Sequence, residues 1–530
     1  MGSEASTHQP VQSLIRAALR GAGLLTLGMI VVRLAGLMRG VVVAGRFGLG
    51  DDLAAFLLGL VLVGLCNSLL GDALRECFIA RYWTGFSQEA SEGRGGDFWP
   101  IVLQGSAVGA GVMLLLWFGY PWLMAFLGRN MAPETVMLAI QLARACIGVI
   151  LLQLWVGFLD ALLQANHRYA SSGITPALVP LFTILVLWLI PSHGIWALVW
   201  GYYLGLLFRI LILAFAARDL IPPLRGAYRN LRSPGLWSLW RFQAAAATVA
   251  SLNLAVDRMM GAGLGAQSLA ALDFGMTLSH IIERFCMVSL MTALLPGMSD
   301  SWGRGERATV KAGLRRTSEA FALLLPPISI AIALSAREII SILYQRGGFT
   351  PQDTLRTAPI LALYALGWLP LAWTYLASRG CLVTGRMRVL WPVAAYELVA
   401  NFALNSLFIR WFGAPGIAGA TSLLYVGSAI WLGRYLVVRT GMDILGPGLK
   451  LSLRIAPAMV AQIVVMWVLA EVVWPWQPED VSLWMRGIRL GVTAGAGMLL
   501  FLLLAWFPAR REINFWLKAI GLGRLPLRKR

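Results

Sequence analysis

Apolar runs of about twenty residues recur from one end of the chain to the other, separated by short polar or Gly/Pro-containing breaks. A run of that length, coiled as a helix, crosses the hydrocarbon core of a bilayer with its backbone hydrogen bonds satisfied internally. No soluble domain has an interior large enough for so many of them. The predicted fold is therefore an all-α polytopic membrane protein with about fourteen transmembrane helices: two six-helix lobes plus two C-terminal helices. Composition agrees, with 58% hydrophobic and 13% charged residues and a mean hydropathy of +0.72.

Charge in the breaks orients the spans. One set of connections holds Arg16 and Arg20, Arg218 to Arg232, Arg304 to Arg316, and the tail Arg524 to Arg530; the alternate set is poorer and includes Asp51, Asp52 and "EVVWPWQPED". The positive-inside rule then places both termini in the cytoplasm, which requires an even number of spans and so agrees with fourteen. This accounts for the net charge of +19, which in a soluble chain would suggest nucleic acid; no nucleic-acid partner is expected here. The predicted organisation is a cytoplasmic N-terminal segment (1–21), a first lobe (22–217), a basic linker (218–236), a second lobe (237–438), two further spans (439–507) and a basic tail (508–530). "GLGDDLAAF" at Gly48 and "GLGAQSLAAL" at Gly263 follow the first and seventh spans, which is the mark of a duplicated lobe or a chance match of Gly, Leu and Ala. Duplicated lobes are typical of alternating-access transporters. The five cysteines lie singly within or beside apolar runs, as small buried hydrophobes do.

Charges inside spans cost roughly 2.5–3.5 kcal/mol each on insertion scales, so they mark function or pairing. The first span carries Arg33 and Arg39, which on a straight helix lie about 240° and about 9 Å apart. In the second span Asn67, Gly71 and Arg75 share a face, with Asp72 in position to pair with Arg75. In the eighth, Asp273, Thr277, His280 and Arg284 fall at i, i+4, i+7 and i+11, one stripe of a helix; it either lines a cavity or closes an interhelical hydrogen-bond set. Arg144, Asp160, Arg209, Glu397 and Arg454 are isolated charges, several near helix ends, for which snorkelling to the headgroups is the expectation. A guanidinium in a low-dielectric cavity binds phosphate bidentately, so the first lobe suits an anionic headgroup and has the wrong sign for a cationic drug. No phosphate-binding loop, nucleophile with a base, or metal cluster is present in the sequence; no cofactor is expected, and energy would come from membrane potential or a sodium or proton gradient.

"VVRLAGLMRGVVVAGRFGLG" resembles the first-span signature of the lipid II flippases (the MurJ, or MviN, family) of the multidrug/oligosaccharidyl-lipid/polysaccharide exporter superfamily, "ILYQRGGFTPQDT" resembles that family's loop before the tenth span, and "TALLPGMS" is similar to its usual ending of the eighth. The resemblance covers most of the chain. It implies two lobes around a cationic cavity that takes the diphosphate of an undecaprenyl-linked saccharide, with the lipid tail in a groove near the last two spans. It also implies a multi-pass protein of the bacterial inner membrane with cell-wall or glycan synthesis proteins as partners. Arg33 and Arg39 match the family's two first-span arginines, whereas its second-span arginine falls on Asn67 and its eighth-span arginine and acid on Thr277 and His280. Whether His280, Arg284 or Arg75 substitutes is left open. The resemblance further implies a sodium site at Asp257, Asn401, Asn405 and Thr421. Lipid II is the first substrate reading; the alternatives are another lipid-linked glycan, multidrug or cation antiport, and a non-transporting envelope scaffold.

Overall fold

The computed structural model describes residues 28, 30–78, 98–166, 168–221, 240, 251–476 and 482–519, with side chains outside the description at 98, 284–286, 288–297, 299–300 and 516–519. Every element among the described residues is a helix. Ten are long and apolar enough to cross a membrane, eleven when the bent pair described below is taken as one span. The helices over 30–47, 251–262 and Ala266–Gly303 stand where three further spans are predicted. The chain divides into two compact units, Met1–Ala270 and Ala271–Arg530.

In the first unit the helices are α1 (30–47), α2 (Asp51–Phe78), α3 (Phe98–Leu127), α4 (Pro133–Ala165), α5 (Tyr169–Leu189), α6 (Trp196–Ala216) and α7 (251–262). Asp51 and Asp52 occupy the first turn of α2, where acidic side chains complement the helix dipole, and α4 begins on Pro133 with Glu134 behind it. Some helices approach closely where a side chain is missing. A Cβ on Gly201 would lie 2.5 Å from the Thr183 Cα and one on Gly205 2.6 Å from the Val179 Cα, so α6 lays this Gly-xxx-Gly face directly on the α5 backbone. Further along, α2 carries a π turn over Asn67–Asp72, where an extra residue is fitted into the helix. The π turn rests on α4: a Cβ on Gly157 would lie 3.2 Å from the Gly71 carbonyl oxygen. The outward faces are apolar, as lipid requires: Leu115 and Phe118 of α3 are 74% and 69% exposed.

The two "GLG" segments both form the turn between consecutive helices, but differently. Gly48 takes the left-handed conformation (φ 56°) in the first and Gly265 (φ 104°) in the second, the first glycine of one triplet and the last of the other.

In the second unit the helices are α8 (Ala266–Gly303, entered from the first), α9 (Arg307–Leu334), the short α10 (Ala336–Tyr344), α11 (Pro351–Leu366), α12 (Trp368–Val383), α13 (Met387–Phe412), α14 (Ala414–Thr440), α15 (Leu445–Val473), α16 (Leu483–Ala505) and α17 (Arg510–Ala519). The core gathers Phe321 and Leu325 of α9, Trp368 and Leu371 of α12, and Leu432 and Leu436 of α14. Between α11 and α12 the axis bends by 42° at Gly367, where a Cβ would meet the Ser422 side chain. The last two spans dock on α9 through a seam of apolar residues, Ala322 with Leu451, Ile455, Ala458, Phe501 and Ala505. There the Gln462 side chain donates 2.9 Å to the Pro327 carbonyl of α9.

Candidate functional site

Arg33 and Arg39 are both half-buried on α1. The guanidinium of Arg46, at the end of the same helix, donates to the Pro191 carbonyl between α5 and α6. Asn67 opens the π turn of α2, and Arg75 follows it. Arg75 lies 3.2 Å from Glu76 and 4.0 Å from Asp72, so its closer partner is its neighbour rather than the residue one turn back.

Isolated snorkelling charges are not what α4 and α6 contain. Arg209 donates 2.6 Å to Asp160, and with side chains only 12% and 4% exposed the two form a buried ion pair. One heptad nearer the start of both helices the Gln153 amide donates 3.3 Å to the Tyr202 hydroxyl. The two contacts form parallel rungs, because Gln153 and Asp160, and likewise Tyr202 and Arg209, are seven residues apart. Arg39 lies within electrostatic reach of the Tyr202 hydroxyl, and Arg75 within reach of both Asp160 and Arg209. Sequence reading missed this network. The signal was there in two polar residues a heptad apart on each of two apolar spans, but a partner on another helix cannot be read from one span alone.

Two other expected snorkellers also find partners: Arg144 sits 5.3 Å over the Trp117 ring, and Arg454 lies 3.7 Å from Glu512 of α17. Where the chain leaves the membrane after α6, Arg168 grips Asp219 with both guanidinium nitrogens and also donates 2.9 Å to the Ala216 carbonyl. Those hydrogen bonds hold the Asp219 carboxyl below its ordinary range.

In the second unit α8 turns one open face. From Ala271 to His280 only Asp273, Thr277 and His280 are part-exposed, and every residue between them is buried. The buried side is fixed by Gly275, where a Cβ would lie 2.8 Å from the Ile360 side chain, and by Ser279, which accepts 3.0 Å from the Trp368 indole. The His280 ring stands 6.4 Å from that of Tyr364. Arg284 continues the helix one turn on, and its side chain lies outside the described residues.

Of the ion-site residues, Asp257 is buried on α7 of the first unit, and Asn401, Asn405 and Thr421 are buried on α13 and α14 of the second. The Asn405 amide donates 3.1 Å to the Asn401 oxygen, and the Thr421 hydroxyl donates 2.9 Å to the Ile417 carbonyl. Uncharged oxygens of this kind suit a hard cation such as sodium.

The loop "ILYQRGGFTPQDT" serves the fold. Gly347 turns with φ 55°, Phe349 packs edge-on against Phe274, and Thr350 and Asp353 close a reciprocal capping box at the start of α11, with Pro351 in its first turn.

A family model described as "Lipid II flippase MurJ" matches residues 43–486. A "Probable lipid II flippase MurJ" from Thermotoga maritima is 26% identical over 421 residues, covering 77% of this chain and 83% of its own length. One from Vibrio cholerae serotype O1 is 24% identical over 427 residues, covering 74% and 78%. Among solved structures, "Lipid II flippase MurJ, inward closed conformation" superposes with a TM-score of 0.77 at 19% identity, covering 92% of this chain and 99% of its own. An inward-facing multidrug resistance MATE family transporter of the same superfamily follows with a TM-score of 0.64 at 12% identity, covering 79% and 98%. The structural likeness is one of fold. Arg33 and Arg39 precede the stretch that the family model matches.

Proposed function

The chain belongs to the MurJ family of lipid II flippases, and from that premise we propose that it moves lipid II, a polyprenyl-diphosphate-linked saccharide, across the bilayer, with Arg39, Arg33 and Arg75 meeting the diphosphate. It is a multi-pass membrane transporter and not an enzyme. The observation that carries the residue assignment is a half-buried arginine in the middle of an apolar helix: Arg39 is held in the span at a cost that an anionic ligand offsets. The proposed setting is the bacterial inner membrane with both termini in the cytoplasm, in reach of cell-wall synthesis proteins. Alternating access would expose the bound headgroup first to one side and then to the other, reset by membrane potential or by a sodium or proton gradient. A unit charge crossing 100 mV is worth about 2.3 kcal/mol. Asn401, Asn405 and Thr421 of the second unit offer neutral oxygens to such a cation.

The second unit favours a specific contribution. Asp273, Thr277 and His280 present hydrogen-bonding groups on the open face of α8, suited to the sugar or peptide part of the headgroup rather than its phosphates. The test is complementation of a strain depleted of its own lipid II flippase, with membrane levels checked. Rescue by the wild type, and none by Arg39→Ala at equal abundance, is the expected result. A well-expressed wild type that does not rescue removes lipid II as the substrate and points to another lipid-linked glycan.

A further inference from the structure

The polar rungs between α4 and α6 lie among apolar spans that would pack without them, and burying an ion pair is no route to stability in itself. What distinguishes them is where they stand. The upper rung, Gln153–Tyr202, has Arg39 of α1 in its electrostatic neighbourhood; the lower, Asp160–Arg209, has Arg75 of α2. Accepting the Gln153 amide fixes the Tyr202 phenol, whose oxygen then presents a fixed partial negative charge to a nearby guanidinium. In the lower rung Arg209 and Arg75 repel each other while Asp160 attracts both, so Arg75 is held between Asp160 and its partner Glu76. Backbone packing brings this about: the Gly157 Cα faces the Gly71 carbonyl, and a Cβ at Gly157 would stand 3.9 Å from the Arg75 Cβ.

We propose that Tyr202, Gln153, Asp160 and Arg209 are positioning residues for lipid II transport, a ladder that holds Arg39 and Arg75 in the orientations in which they meet the diphosphate. The proposal rests on the flippase reading. It assigns each rung to one arginine, and this makes it separable from a purely structural tie between two helices.

The experiment is a pair of double-mutant cycles on the full-length chain in nanodiscs, reading binding of purified lipid II and thermal midpoints together. Tyr202→Phe keeps the ring and removes the hydroxyl. It is expected to weaken lipid II binding about five- to tenfold, the loss of one hydrogen-bonding group, with the thermal midpoint close to that of the wild type. In the Arg39→Ala background the same change is expected to have no further effect. For the lower rung, Asp160→Asn combined with Arg209→Gln removes both charges while keeping a hydrogen-bonding amide at each position. It is expected to weaken binding when Arg75 is present and not when Arg75 is Ala. Additive losses, or losses that follow the thermal midpoint alone, overturn the ladder and leave the rungs as packing. A wild type that binds no lipid II overturns the flippase reading instead.

Discussion

Asp160→Ala should be among the most damaging single substitutions in this chain, lowering stability by about 3–5 kcal/mol, the cost of stranding one partner of a buried ion pair. Arg209 is 12% exposed and donates 2.6 Å to Asp160, so without the carboxylate its charge stays buried between two apolar spans without its partner. Arg75 compounds the effect, because it would then face Arg209 with its attraction to Asp160 gone. Membrane abundance and the detergent melting midpoint of Asp160→Ala should both fall sharply, while Asp160→Asn with Arg209→Gln should recover most of the loss. A melting midpoint within a degree of the wild type would mean that water reaches this pair.

Gly201→Leu is expected to be comparably severe, and for a reason unrelated to charge. The Gly201 Cβ position is 2.5 Å from the Thr183 Cα, so even alanine collides with backbone, which cannot rotate away as a side chain can. Overpacking of this kind costs about 1–3 kcal/mol where side chains give way, and more is expected here. Gly205, one turn on, meets Val179 in the same manner, so relief by tilting α6 at one site worsens the other. The check is a graded series of melting midpoints, glycine above alanine above leucine at position 201. A flat series would show that α5 and α6 part freely.

What the sequence discloses differs by kind of feature. Apolar runs announce spans because length and hydropathy are local properties, and nearly all of α2 to α6 and α9 to α16 stand where runs predict helices. The stripe Asp273, Thr277, His280 is legible for the same reason: helical spacing alone puts the three on one face, and that face is the open one. The Asp160–Arg209 pair is invisible to such reading, since two charges on separate helices look like two snorkelling residues until register joins them. Arg75 went partly astray on the same ground: i, i+3 spacing favours Asp72, but the π turn that ends at Asp72 leaves the adjacent Glu76 nearer. The loop at Tyr344 to Thr354 shows that a motif diagnostic of a family need not be its chemistry. Its aromatic and capping residues build a corner.

The extra residue in the turn Asn67–Asp72 makes α2 unusually informative to single-residue deletion. Insertion machinery reads hydrophobic length, and a span of 28 residues has length to spare. Removing one residue from the turn lets the segment relax to a regular α-helix in which the stretches before and after it face as they do now, whereas removing one from a regular stretch turns everything beyond it by about 100° relative to everything before it. Arg75 would thus stay on the Gly157 face of α4 after a deletion in the turn and leave its register with the upper helix after one in 53–66. A deletion in the turn should therefore insert, accumulate and complement much as the wild type does, whereas one in the regular stretch 53–66 should still insert but fail in complementation. The reading frame of this helix thus separates what the membrane checks from what the transporter needs.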